Sequence, residues 1–286
     1  MLSLVIATLD DQGNLRLCLE SLARQQHAPP FEVVIVDQHQ DGRVGRIIPE
    51  FAGRLDIRHE RASFRGASQA RNRGARLAKG RWLGFPDDDC ILAADALAQF
   101  ARVAMGFADL KVITGRTVDE NGASNILRWG ETARRFTPFT MFSSVTEATL
   151  FVESSAYAVV GGFDERFGPG TRFPAAEGVE LVNRLFREFG GRCAYYCPAI
   201  RMQHPTKVPP FTRWAVRRFH LYAIGDGALI AKSPQPHIVA WGIRTCVAAA
   251  IQVFSLPLWR SAAFAARLAG VLRGFVRYHI EALKGP

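Results

Sequence analysis

Three consecutive carboxylates, Asp87, Asp88 and Asp89, stand directly after the apolar run Arg81 to Phe85. An apolar run followed by acids reads as a parallel strand with the acids at its carboxyl end, where open α/β sheets bind their ligands. Three neighbouring anions repel one another unless a cation holds them. Asp87 and Asp89 form a D-x-D pair of hard oxygen ligands, able to hold one Mg²⁺ or Mn²⁺ that also grips a diphosphate. Taken alone, the triplet reads equally as a solvated acidic turn before the next helix.

The elements needed to position such a turn are legible around it. Leu2 to Ala7 and Phe31 to Val36 are short apolar, β-branched runs, as expected of buried parallel strands. Between them Leu15, Cys18, Leu19 and Leu22 keep helical spacing, with Asp10 or Asp11 as a cap. A strand at Leu55 to His59, a helix at Ser68 to Lys79 and the strand before Asp87 complete β-α-β-α-β-α-β in some 85 residues. That order predicts a parallel sheet with right-handed crossovers. A helix over Ala93 to Met105, a strand over Lys111 to Arg116, a helix over Glu177 to Phe189 and strands near Cys193 to Tyr196 and Ile200 to His204 follow. Residues 120–150 give no clear pattern.

Charge divides the chain. Overall it carries 36 Lys and Arg against 26 Asp and Glu, a net +10. Residues 1–200 hold 24 of each sign, so the excess lies in residues 201–286, with 12 basic and 2 acidic residues. A basic and apolar tail suits an anionic lipid surface; a nucleic-acid reader would carry its excess beside its recognition elements. The five cysteines include no C-x-x-C pair and read as reduced thiols. The start, MLSLVIATLDD, lacks a basic n-region and reads as a strand, so a cytoplasmic location is expected.

Four blocks in order carry a family resemblance. They are the first strand and helix with V-V-I-V-Asp37, the stretch from Gly66 through A-R-N-R-G to the D-x-D, Gly161-Gly-Phe-Asp-Glu165, and the glutamate-led helix Glu177-x-x-Glu-Leu-x-x-Arg184. Together they span about residues 2–205 and resemble family 2 glycosyltransferases with the GT-A fold. The resemblance implies a Rossmann-like, mainly parallel α/β sheet flanked by helices. It implies inverting, metal-dependent transfer of a sugar from a nucleotide-sugar donor to a glycan or lipid-linked acceptor. Donor contacts fall to Thr8, Asp10, Asp37, Arg71, Asp87 and Asp88, and metal contacts to Asp87, Asp89 and His204, with Mn²⁺ or Mg²⁺ as the ion. The catalytic base falls to Glu177. There the sequence departs from the family, since Gly178 stands where an aspartate is usual. Glu180, one turn from Arg184, is expected to make an i, i+4 pair, and His39 reads as plain loop.

The expected organisation is a catalytic domain over 1–206 and a helical extension over 207–286. In the extension, Arg244 interrupts the apolar stretch Ile238 to Trp259, which argues against a span. Arg260, Arg267, Arg273 and Arg277 recur opposite Phe264, Leu268, Leu272 and Phe275, the layout of a helix lying in a membrane interface. Peripheral association with the inner face of the cytoplasmic membrane is the resulting expectation. A sugar nucleotidylyltransferase and a non-catalytic membrane-bound binding module are the alternative readings. The former should open with a Gly- and Arg-rich loop that is missing after the first strand.

Overall fold

The computed structural model describes residues 1–9, 14–127, 129–205, 211–254 and 257–284. Asp10 and Asp11, expected as cap and donor contact, lie outside the described residues.

The amino-terminal half follows the expected alternation: β1 (Leu2–Thr8), α1 (Asn14–Ala23), β2 (Phe31–Asp37), α2 (Arg43–Ile47), β3 (Ile57–Arg61), α3 (Ala67–Leu77) and β4 (Trp82–Gly84). Then come β5 (Ile91–Leu92), α4 (Ala96–Gly106), β6 (Val112–Val118), β7 (Arg134–Arg135), β8 (Leu150–Glu153) and α5 (Ser154–Val159). The chain continues through α6 (Glu177–Phe189), β9 (Ala194–Gln203), α7 (Arg213–Lys232), α8 (Pro236–Gln252) and α9 (Leu258–Leu283). The strands form one sheet in the order β3-β2-β1-β4-β8-β6-β9-β5, with β7 also on β9. β1 to β4 run parallel, whereas β8 is antiparallel to both neighbours.

Burial on both faces explains the unbroken apolar runs. Leu4, Ile6, Val33 and Ile35 pack on one side of the sheet with α1 and α4, while Val5 and Val34 belong to the cluster on the other side, with α6. Parallel strands covered on both faces gain nothing from polar alternation.

Three details differ from expectation. β8 enters the middle of the sheet from the stretch that gave no pattern, being too short to show a period. Helix α4 starts at Ala96 rather than Ala93, because Ile91 and Leu92 pair with β9 instead. The two expected segments near 193–204 are one strand, β9, with Pro198 lying where its pairing to β6 shifts register.

The expected boundary at 206/207 separates residues that share one core. Ile224, Ala228 and Leu229 of α7 and Ile238 of α8 belong to the cluster containing Leu181, Val182 and Phe186 of α6. Lys232 of α7 bonds Asp164 and Glu180, and His237 of α8 bonds Asn183 at 2.9 Å. Helix α9 lies against α7, partly by close approach: the Cα of Gly274 leaves room for the Ile224 carbonyl, which an added Cβ would meet at 2.0 Å.

Candidate active site

The carboxyl ends of β1, β2 and β4 form one edge. The Asp87–Asp89 turn leaves β4 there, and a second strand pairing brings it a histidine. β5 runs antiparallel to β9 with Ile91 opposite Gln203, so the next residues outward, Cys90 and His204, face each other. Ligand atoms of Asp87, Asp89, Cys90 and His204 all lie within 4.8 Å of one another. His204 Nδ1 lies 2.9 Å from the Pro205 carbonyl, which only accepts, so in the neutral ring Nε2 offers a lone pair. That lone pair faces Asp89 Oδ1 at 3.5 Å and Asp87 Oδ2 at 3.9 Å. These distances are long for hydrogen bonds. They suit a shared cation, since bonds of about 2.1 Å put ligands at right angles about 3.0 Å apart and opposed ligands about 4.2 Å apart. The donor set therefore fits a divalent metal. Asp88 occupies the turn between the two aspartates. Cys90, outside the sequence expectation, is fully buried, and burial, Asp87 and Asp89 push its thiol well above the usual range.

Arg71 links this turn to the head of α6. Its guanidinium is buried, with Nη2 donating to Asp87 Oδ1 at 2.8 Å and Nη1 donating to Glu177 Oε1 at 3.1 Å. It lies 5.5 Å above the Phe163 ring centre. Burial works against its charge, but Asp87, Glu177 and Glu147 outweigh it and raise its pKa. Asn72, next on α3, holds the Gly161–Glu165 turn. Its Nδ2 donates to the Phe163 carbonyl and to Glu165, and its Oδ1 accepts from Phe163 N–H and the Tyr157 hydroxyl.

Glu177 opens α6 after Ala176, whose φ of 70° is left-handed. Only 4% of Glu177 is exposed. Burial first, and the neighbouring Glu147 carboxylate second, push its pKa up to about 8 against the pull of Arg71. Glu147 comes from the 3-10 turn Glu147–Thr149 just before β8, and its Oε1 accepts from Gly178 N–H at 2.7 Å. Glu180 is buried one turn along, bonded by Arg184 at 2.8 Å and by Lys232. Burial first, and then the negative charges of Glu177, Glu147 and Asp87, push the Tyr222 hydroxyl of α7 up to about 12 against the pull of Arg218.

At the β1–β2 end, Thr8 and Asp37 sit side by side in register and are fully buried. The Asp37 carboxylate accepts from His39 N–H and Nδ1, each at 2.9 Å, and faces His59 Nε2 at 3.0 Å. His39 is thus not plain loop. Its Nε2 and the Thr8 hydroxyl are buried without a hydrogen-bond partner among the described residues. Unpartnered buried polar atoms at a ligand-binding edge fit a ligand that supplies the missing bonds.

The blocks read in the sequence therefore converge in space: Asp87, Asp89 and His204 meet, Arg71 ties Asp87 to Glu177, and Thr8 and Asp37 lie beyond. Glu147, Cys90, His39 and Tyr222 are additions. Cys90 follows Asp89 directly and His39 lies two residues after Asp37, whereas Glu147 and Tyr222 left no local signal.

Comparison with known proteins agrees with this architecture. Residues 3–167, more than half of the chain, match Glycosyl transferase family 2, and the chain belongs to that family. Among curated proteins it is similar to the hyaluronan synthase of Pasteurella multocida, 37% identical over 90 residues, covering 31% of this chain and 9% of that protein. It is also similar to a PGL/p-HBAD biosynthesis glycosyltransferase of Mycobacterium bovis strain BCG, 29% identical over 170 residues, covering 58% and 64%. The matches span less than two thirds of either relative. Among solved structures it resembles S. aureus TarS in complex with UDP, with TM-score 0.61, 16% identity and coverage of 100% and 92%. It resembles equally the mannosyltransferase PcManGT of Pyrobaculum calidifontis in complex with GDP-Man and Mn²⁺, with TM-score 0.61, 17% identity and coverage of 100% and 75%. The fold is GT-A, and the family membership sets aside the nucleotidylyltransferase reading.

Proposed function

We propose that this protein transfers a sugar, with inversion, from a nucleoside-diphosphate-sugar to an acceptor hydroxyl. The observation that carries this is the Arg71 bridge, which joins the D-x-D turn to the acidic head of α6 through one guanidinium. Asp87, Asp89 and His204 would hold Mn²⁺ or Mg²⁺, which when bound offsets the negative charge of the departing diphosphate. Asp88 and Arg71 stand beside the diphosphate. Thr8 and Asp37 line the nucleoside end, Asp37 acting through the histidines it holds. Asp10 belongs with them by position. The acceptor proton goes to a carboxylate at the head of α6, where Glu177 stands. The acceptor class is a lipid-linked or cell-envelope polysaccharide precursor; one similar protein is named a hyaluronan synthase and another for PGL/p-HBAD biosynthesis.

The test is nucleotide release from a panel of UDP- and GDP-sugars with Mn²⁺ or with chelator. Metal-dependent release supports transfer. Metal-dependent binding without release on any donor would favour the non-catalytic module.

We also propose that the helical extension, residues 207–286, seats the protein on the inner face of the cytoplasmic membrane. No helix among the described residues is long and apolar enough to cross a membrane. Ile243, Val247 and Ile251 of α8, followed by Phe254, Leu258 and Trp259, are exposed in a row, Phe254 at 91%. Arg244 and Arg260 flank that row. The face expected on α9 is partly used inside the protein: Arg267 bonds Asp226, and Phe264 packs against Phe211 and Phe219. The row on α8 is therefore the better candidate. Changing Ile251 and Phe254 to Asp should release the full-length protein from anionic vesicles at low salt while nucleotide binding persists. Equal flotation of variant and parent would overturn this attachment.

A further inference from the structure

The resemblance read in the sequence implies an aspartate at 178, where this chain has glycine, and the structure shows what fills the space. A Cβ placed on Gly178 would meet Glu147 Oε1 at 2.4 Å, Cδ at 2.9 Å and Cγ at 3.1 Å. The carboxylate of Glu147 occupies the volume in which a side chain at 178 would begin, so a side chain there would displace it. The carboxylate is fixed there by the Gly178 N–H in the first turn of α6, a position that favours negative charge. A carboxylate absent from the local sequence is thus restored from a segment 31 residues earlier.

The two glutamates at this spot differ in access. Glu177 is buried, and its Oε1 is held by Arg71. Glu147 is half-buried, and its second oxygen has no hydrogen bond among the described residues. A general base must come within hydrogen-bond reach of the proton it removes. We propose that Glu147, not Glu177, is the catalytic base, and that Glu177 is a positioning residue holding Arg71 against Asp87. This rests on the transferase reading above. As the acceptor oxygen bonds to the anomeric carbon, its proton passes to Glu147. The bond from that carbon to the diphosphate oxygen breaks, and the nucleoside diphosphate leaves with the electron pair. Two observations favour moving the role from Glu177 to Glu147: the burial of Glu177, and its engagement with Arg71.

The test uses the full chain, with Mn²⁺ and whichever UDP- or GDP-sugar of the panel the parent hydrolyses. Glu147→Gln should lower kcat by roughly 10²–10⁴-fold with donor KM nearly unchanged, whereas Glu177→Gln should lose less. Glu147→Ala combined with Gly178→Asp removes the clash and returns a carboxylate to the same volume, and should recover at least about tenfold over Glu147→Ala alone. The assignment is overturned if Glu147→Gln stays within about threefold of the parent, if Glu177→Gln is the more damaged variant, or if the double variant is no faster than Glu147→Ala. If the parent hydrolyses no donor, the transferase reading fails and the assignment with it. If the parent is active, those three outcomes bear on Glu147 alone.

Discussion

The two acidic groups on either side of Arg71 are chemically alike and placed differently. Asp87 and Asp89 come from one turn, are half-buried, and face a histidine lone pair at distances suited to a cation. Glu147 and Glu177 come from distant segments and sit against each other at a helix start, with Glu177 buried. Carboxylates gathered at one turn beside a histidine can share a cation as hard oxygen ligands. A carboxylate buried beside another is pushed toward its protonated form. On the roles proposed above, one site obtains a charge-holding pair and, in Glu147, a proton-handling carboxylate from the same functional group, with solvent access and partners deciding which is which.

Removing a ligand from the charge-holding pair should have the largest effect. Asp89→Ala should abolish Mn²⁺-dependent donor binding by calorimetry and leave the fold intact by circular dichroism. Undiminished metal-dependent binding would break the contrast, because the turn would then be a solvated acidic loop.

On the other side, Glu177 should leave a mark on stability rather than on binding. Its pKa is raised from the model-peptide range near 4.5 to about 8, so the native state holds the proton more tightly than the unfolded chain does. That contribution is fully present below about pH 4.5 and is lost as pH rises through 8. Glu177→Gln should therefore flatten the decline seen in urea titrations between those limits. The gain over the parent at pH 9 should be on the order of a few kcal/mol. An unchanged pH slope would show that Glu177 ionises at no cost.

The smallest effect is expected at Ala176. Its φ of 70° is uphill for a residue with a Cβ by about 1 kcal/mol. Ala176→Gly should raise the melting temperature slightly without moving either carboxylate pair. A fall in kcat with unchanged stability would instead mean that Ala176 sets the angle at which α6 presents its head.

What the sequence made legible follows from how local each feature is. The first four strands and their helices were readable because each lies within a short run of one period. The D-x-D turn was readable because all its carboxylates are adjacent. β8 was not, because a four-residue strand inside an irregular stretch has no periodicity to reveal. His59 was missed for a related reason: it reaches Asp37 from the neighbouring strand β3, a relation between segments rather than within one. The helical extension looked like an appendage because its charge balance changes abruptly at residue 201. Composition cannot report that Ile224 and Leu229 complete the same core as α6.

The separations in sequence also set the order in which the site can come into being. A chain made from its amino end has the D-x-D turn and Arg71 before α6 exists, since Arg71 and Glu177 are 106 residues apart. β4 gains its neighbour β8 only after residue 150, and His204 arrives at the end of β9. Contacts of such long range carry a loop-closure cost that local ones avoid, so they form late. An unfinished chain therefore has the β1–β2 edge without the histidine and without either glutamate, and synthesis itself postpones assembly of the site until nearly the whole sheet is closed.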